Sequence, residues 1–112
     1  MISSTLLYGQ REGGARFPIT IEIGAPYPTE GDGGDWACPV SLKPFAGIPE
    51  VYGVDSLQAL CLALNLAYAL LSNFKEKGGT LTFEDGEDCP IDAFFGRSLP
   101  GKADRLETKK PK

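Results

Sequence analysis

Apolar residues recur at three- and four-residue steps from Leu57 to Phe74: Leu57, Leu60, Cys61, Leu64, Tyr68, Leu71 and Phe74. That is the helical period. Asp55 precedes the run as an N-cap, with Gln58 three residues on in a capping-box pattern. Lys75 and Lys77 suit the negative end of the helix dipole, and Gly78 is placed to stop the helix. The pattern predicts one long helix over about 55–77. Its polar positions Gln58, Asn65 and Ser72 lie seven apart and form only a narrow stripe, flanked by the apolar Leu62, Leu66, Ala69 and Leu70. A surface helix usually carries an apolar face a little over about 100° wide. This one is apolar round more of its circumference, so loops of the same chain, or else a second chain, are expected to cover the excess.

Elsewhere the period is two. Phe17, Ile19, Ile21 and Ile23 alternate with Pro18, Thr20 and Glu22, as in a half-buried strand whose Pro18 suits an edge or a strand start. Residues 3–10 read as a preceding strand and Gln10–Ala15 as the turn of a hairpin. Residues 24–35, rich in proline and glycine, read as a loop. Trp36, Cys38, Val40 and Leu42 alternate as a third strand, and Lys43–Pro49 is a second connection. Val51–Val54 is a short fourth strand that leads into Asp55, and Thr80–Phe83 is a brief fifth. Glu84–Asp88 is an acidic turn. Ile91, Phe94 and Phe95 form a last apolar group, folded back onto the core or onto the exposed flank of the helix. Strands first, then one helix, then a strand imply an α+β domain. It is an antiparallel meander of four to five strands with one long helix on one face, in two layers. Residues 1–100 form this single domain and 101–112 a basic tail.

Charge narrows the function. The chain has 112 residues, 11 basic and 15 acidic side chains, and a net charge of −4. Residues 1–100 carry six basic against thirteen acidic, and residues 101–112 five against two. An acidic body without a basic stripe argues against nucleic acid, where neutralising phosphates supplies much of the affinity. A membrane span is not expected either, because Gln58 and Asn65 interrupt the apolar run and it falls short of the roughly 20 residues a bilayer needs. Histidine is absent. That removes the commonest general base and the commonest metal ligand. The three cysteines, Cys38, Cys61 and Cys89, have no CxxC spacing. The N-terminal stretch lacks the charged and apolar regions of a secretory signal, so reduced thiols in the cytoplasm are expected. Cys61 is assigned to core packing on the apolar side of the helix.

No nucleophile, dinucleotide or phosphate-loop motif is present. Glu30, Asp32 and Asp35 among glycines faintly resemble a calcium loop, but the ligand spacing is wrong, so neither metal nor cofactor is expected. Glu84, Asp85, Glu87, Asp88 and Asp92 form a solvated turn, or else a hard-cation site or the face that meets a basic partner. Trp36 is a buried sheet anchor or a partner-facing residue.

The blocks GDWACPV (Gly34–Val40) and YGVDSLQAL (Tyr52–Leu60), with IEIGAPYP before them, are similar to those of a bacterial family of small stand-alone domains of unknown function. The similarity spans about Ile21–Leu71 and leaves out the acidic stretch and the basic tail. It implies a bacterial cytosolic α+β domain and carries over no catalytic residue, ligand or partner. Folding alone also explains the second block, since a tight strand-to-helix junction needs a small residue (Gly53), a cap (Asp55) and an apolar anchor (Leu57).

The leading reading is a non-enzymatic protein-interaction domain of the inhibitor, immunity or escort type. Its candidate contacts are Glu30, Asp32, Asp35, Trp36, Tyr52, Glu84, Asp85, Glu87 and Asp88. The rival is a small-ligand binder or hydrolase with a pocket among the Gly24–Asp35 loop, Asp32, Asp35, Tyr52 and Trp36. A third reading is a homodimer through Leu62, Leu66 and Leu70.

Overall fold

The structure is a computed structural model that describes residues 1–30, 35–45 and 50–97. Its elements are β1 (Ser3–Gln10), β2 (Arg16–Ile23), β3 (Tyr27–Pro28), β4 (Trp36–Lys43), β5 (Glu50–Gly53), α1 (Ser56–Glu76), β6 (Thr80–Thr82) and α2 (Ile91–Phe94). The expected α+β fold is present, with six antiparallel strands among the described residues and α1 packed on one face. The basic tail lies outside the described residues.

β1 and β2 form the expected hairpin in unbroken register from Ser3↔Ile23 to Gln10↔Arg16. β2 then pairs with the second half of β4, as Ile21↔Leu42 and Ile23↔Val40. The 24–35 segment is not all loop. Gly24 donates its N–H to the Pro39 carbonyl at 2.9 Å, and Tyr27 and Pro28 pair with Ala37 and Trp36. β3 thus continues the β2 ladder past a one-residue bulge. β5 pairs with Trp36–Pro39 along the other edge of β4. β6 returns to the far side of β1, as Tyr8↔Thr82. α1 therefore carries the chain from the β5 edge of the sheet to the β6 edge.

The helix begins as the sequence predicts. Asp55 caps it by accepting from the Gln58 N–H at 2.8 Å. The Gln58 side chain reaches back to accept from the Val54 N–H at 2.7 Å, one residue short of the usual capping box. Gly78, at φ +95°, takes the left-handed turn that ends the helix.

The face that the helix buries is not the one its large residues mark. Ala59, Ala63, Ala67, Leu71 and Phe74 are buried, whereas Leu57, Cys61 and Leu64 are exposed and Leu60 and Tyr68 are half-buried. The core-facing stripe is rotated by roughly 80° from the expected one, at about 100° per residue. Small residues let the helix lie close on the sheet. At Gly53, a Cβ would come within 2.6 Å of the Ala59 backbone nitrogen. Opposite the alanines stand Ile19, Ile21, Ile23, Cys38, Val40 and Leu42, all buried. Among the described residues no polar or charged side chain is buried.

By length and composition α1 is long and apolar enough to cross a membrane, which corrects the expectation that it falls short. In this fold it is the core helix, packed on β4 and β5.

Candidate functional site

Three of the large residues displaced from the core, Cys61, Leu64 and Tyr68, line a groove. Leu57, Cys61, Leu64 and Tyr68 form the flank of α1 beside its buried face. α2 lies along that flank, anchored by the buried Ile91. Two bonds pin it there. The Tyr68 hydroxyl donates to Asp92 Oδ1 at 2.5 Å, and the Arg97 guanidinium lies 3.9 Å over the Tyr68 ring while donating to Asn65 Oδ1. Edge-to-face aromatic contacts then run Tyr68–Phe95 (5.8 Å), Phe95–Phe94 (5.5 Å) and Phe94–Phe83 (5.8 Å). The last apolar group thus folds onto the helix flank, as expected, and does so as a short helix that the sequence reading did not anticipate.

Between α2, Leu64 and the start of β1 lies a groove of about 290 Å³, floored by Ile21 and Ile23 and walled by Thr5, Leu64, Phe94 and Phe95. Over Leu64 and Phe95 it opens into a shallower recess with Cys61 and Leu62, rimmed by Gln58, Asn65 and Arg97. Leu57 is 67% exposed, and Leu64 and Phe94 are each 40% exposed.

The residues singled out in the sequence are scattered. Trp36 faces α1 from opposite Gly53 and packs against the core. Tyr52, opposite Ala37, projects from the other face of the sheet. No one cavity can therefore take in both Trp36 and Tyr52, as the ligand-pocket reading requires. On that outer face Tyr27 donates to Glu50 Oε1 at 2.5 Å and Tyr52 to Glu50 Oε2 at 3.2 Å. These hydrogen bonds to the carboxylate push both phenols above their ordinary pKa. Asp35 closes the end of β3, its carbonyl accepting from the Thr29 amide and hydroxyl, both at 2.9 Å. Glu30 is exposed, and Asp32 lies outside the described residues. Of the proposed dimer face, Leu66 and Leu70 pack against the core and Leu62 is exposed.

Glu84, Asp85, Glu87 and Asp88 are exposed on the turn after β6. Asp85 Oδ1 accepts from the Glu87 N–H at 2.9 Å, and Arg16 donates to the Phe83 and Glu84 carbonyls at 3.0 and 3.1 Å. Among the described residues no three acidic or cysteine side chains are placed to hold a metal ion.

All three thiols are free. Burial pushes the Cys38 and Cys89 thiols up, and Asp88 raises Cys89 further. Cys61 is exposed, which corrects its assignment to the core. A thiolate, not a thiol, attacks a disulfide reagent. Titration with such a reagent at pH 7.5 is therefore expected to find one fast thiol in the native chain, lost in Cys61→Ser, and all three after denaturation. Fast reaction of Cys38 or Cys89 in the native chain would contradict the packing described.

The groove is hidden in the leucine spacing, which assigns Cys61 and Leu64 to the core. The signal was the alanine run at 59, 63 and 67, which keeps helical spacing as faithfully as the leucines do.

Helix, sheet and groove together define a small α+β domain with a helix layered on one face of an open antiparallel sheet. The chain belongs to a family described as a domain of unknown function, DUF6968, whose model matches residues 5–92. The match runs from within β1 into α2, so it takes in the acidic turn that the resemblance left out. No curated protein and no solved structure matches the chain.

Proposed function

We propose that this is a non-enzymatic protein-interaction domain, and that its contact surface is the groove between α1, α2 and the start of β1. One observation carries the reading: Leu64 and Phe94 are exposed together on the walls of an apolar groove that opens into a polar-rimmed recess. Contiguous exposed apolar surface marks contact sites far more often than scattered single residues do. Rigid aromatic side chains such as Phe94 and Phe95 lose little entropy on docking. The acidic body then speeds the approach of a basic partner more than it sets the strength of binding.

Affinity capture from native lysate tests this with three baits: wild type, Leu64→Glu, and a chain with Glu84, Asp85, Glu87 and Asp88 reversed to lysine. A specific partner is expected on the wild type and absent from Leu64→Glu at any salt. The charge-reversed bait should retain it only weakly at low salt. Identical captures on wild type and Leu64→Glu would refute the groove as the contact surface.

A further inference from the structure

The groove borders a strand edge whose hydrogen-bonding direction can be worked out. Cys89 donates its N–H to the Leu81 carbonyl at 2.9 Å, and Phe83 donates to the Glu87 carbonyl at 2.8 Å. Leu81 and Phe83 thus turn their backbone groups away from β1, and Thr82 turns its own toward Tyr8. Backbone direction alternates along a strand. Leu6 and Ser4 therefore point their N–H and C=O groups the same way as Tyr8, out from the sheet, while Thr5 and Leu7 serve β2. β6 pairs only with Tyr8–Gln10 and then leaves in the acidic turn. Among the described residues no strand pairs with that edge at Ser3–Leu7, and Ser4 and Leu6 make no other backbone hydrogen bond across it.

Resting on the groove as the contact surface, we propose that the partner segment is an extended peptide added as a strand to the open edge of β1. It runs antiparallel to β1 and exchanges hydrogen bonds with Ser4 and Leu6. Side chains opposite Ser3 and Thr5 fall on the helix side of the sheet, into the groove walled by Leu64, Phe94 and Phe95. Every second residue of the peptide is therefore aliphatic or aromatic. Its N-terminal end lies in line with the turn bearing Glu84, Asp85, Glu87 and Asp88, so that end carries lysine or arginine. A second copy of β1 fits worse, because it would turn its own serine and threonine toward this apolar lining.

The test begins with a phage-displayed library of random linear dodecapeptides panned on the whole chain. Enriched peptides are then measured by fluorescence polarisation against wild type, Leu6→Pro, Ser4→Pro and Leu64→Glu. Proline removes an outward N–H without taking a bond from the β2 ladder. Leu6→Pro and Ser4→Pro are thus expected to stay folded by circular dichroism and to bind at least about tenfold more weakly. Enriched sequences should alternate apolar and polar residues behind a basic N-terminus and weaken as salt rises. Binding lost in Leu64→Glu but unchanged in both proline variants would overturn strand addition and leave the groove standing. Binding unchanged in Leu64→Glu would overturn both. Failure of Leu6→Pro to fold, absence of enrichment, or a doubled mass in sedimentation that Leu6→Pro abolishes would each overturn the peptide-addition model.

Discussion

Phe74→Ala is expected to remove about 3–5 kcal/mol of folding stability. The ring closes one end of the core. It is 4% exposed and meets Phe17 edge-on at 5.8 Å and Phe45 at 5.2 Å. The Arg11 guanidinium lies 5.1 Å over it. Its far side fills a slot that exists only because two neighbours have no side chain. A Cβ on Gly79 would stand 2.4 Å from the ring, and one on Gly9 3.2 Å from it. Neither glycine can grow into the space that truncation leaves, so the site collapses poorly and the cavity cost is added to the lost transfer energy. Urea denaturation should show the midpoint falling with an unchanged slope. The melting temperature should drop by more than about 12 °C for a domain of this size. A loss below about 1 kcal/mol would mean that the ring is not seated as described.

Ala63→Leu is the second large effect, and it inverts ordinary expectations about leucine in helices. Ala63 is fully buried on the face of α1 that meets the sheet. Three extra carbons there must push the helix off β4 or force side chains from their rotamers, at a cost of about 3 kcal/mol. Leu57→Ala, at a position 67% exposed, should change stability by no more than about 0.5 kcal/mol. Paired urea titrations decide the matter. A benign Ala63→Leu together with a costly Leu57→Ala would restore the leucine stripe as the core-facing side of the helix.

That contrast also shows where the sequence could be read. Strand period, hairpin, N-cap and glycine stop are local signals, and each appears in the structure within a residue or two. The buried face of α1 was not local. Leu57, Leu64 and Ala63 all keep helical spacing, and what chooses among them is how near the sheet can come. That depends on Gly53, whose missing side chain lets Ala59 approach. β3 was hidden for a related reason: two residues between prolines and glycines pair only because Gly24 first hydrogen-bonds to Pro39 across a bulge. The groove was half legible. The excess of apolar residues round α1 announces a covered flank, and Ile91, Phe94 and Phe95 are an apolar group able to lie on it. The acidic turn is exposed, as its composition implies. The junction of Trp36 and Tyr52 into one pocket failed because alternate strand residues face opposite ways, and the register between β4 and β5 assigns them to opposite sides.

The route of α1 from one margin of the sheet to the other has a kinetic side. β1 and β2 meet across a five-residue turn, whereas Gln10 and Thr80 meet although they lie 70 positions apart in the chain. Loop-closure entropy therefore places the β1–β6 seam among the last parts of the molecule to form, after the hairpin and the helix have shortened the distance between its halves. A nascent chain holds that margin of β1 bare for longest, so the same stretch that is open to a partner in the finished protein is also the one most exposed to mispairing during synthesis.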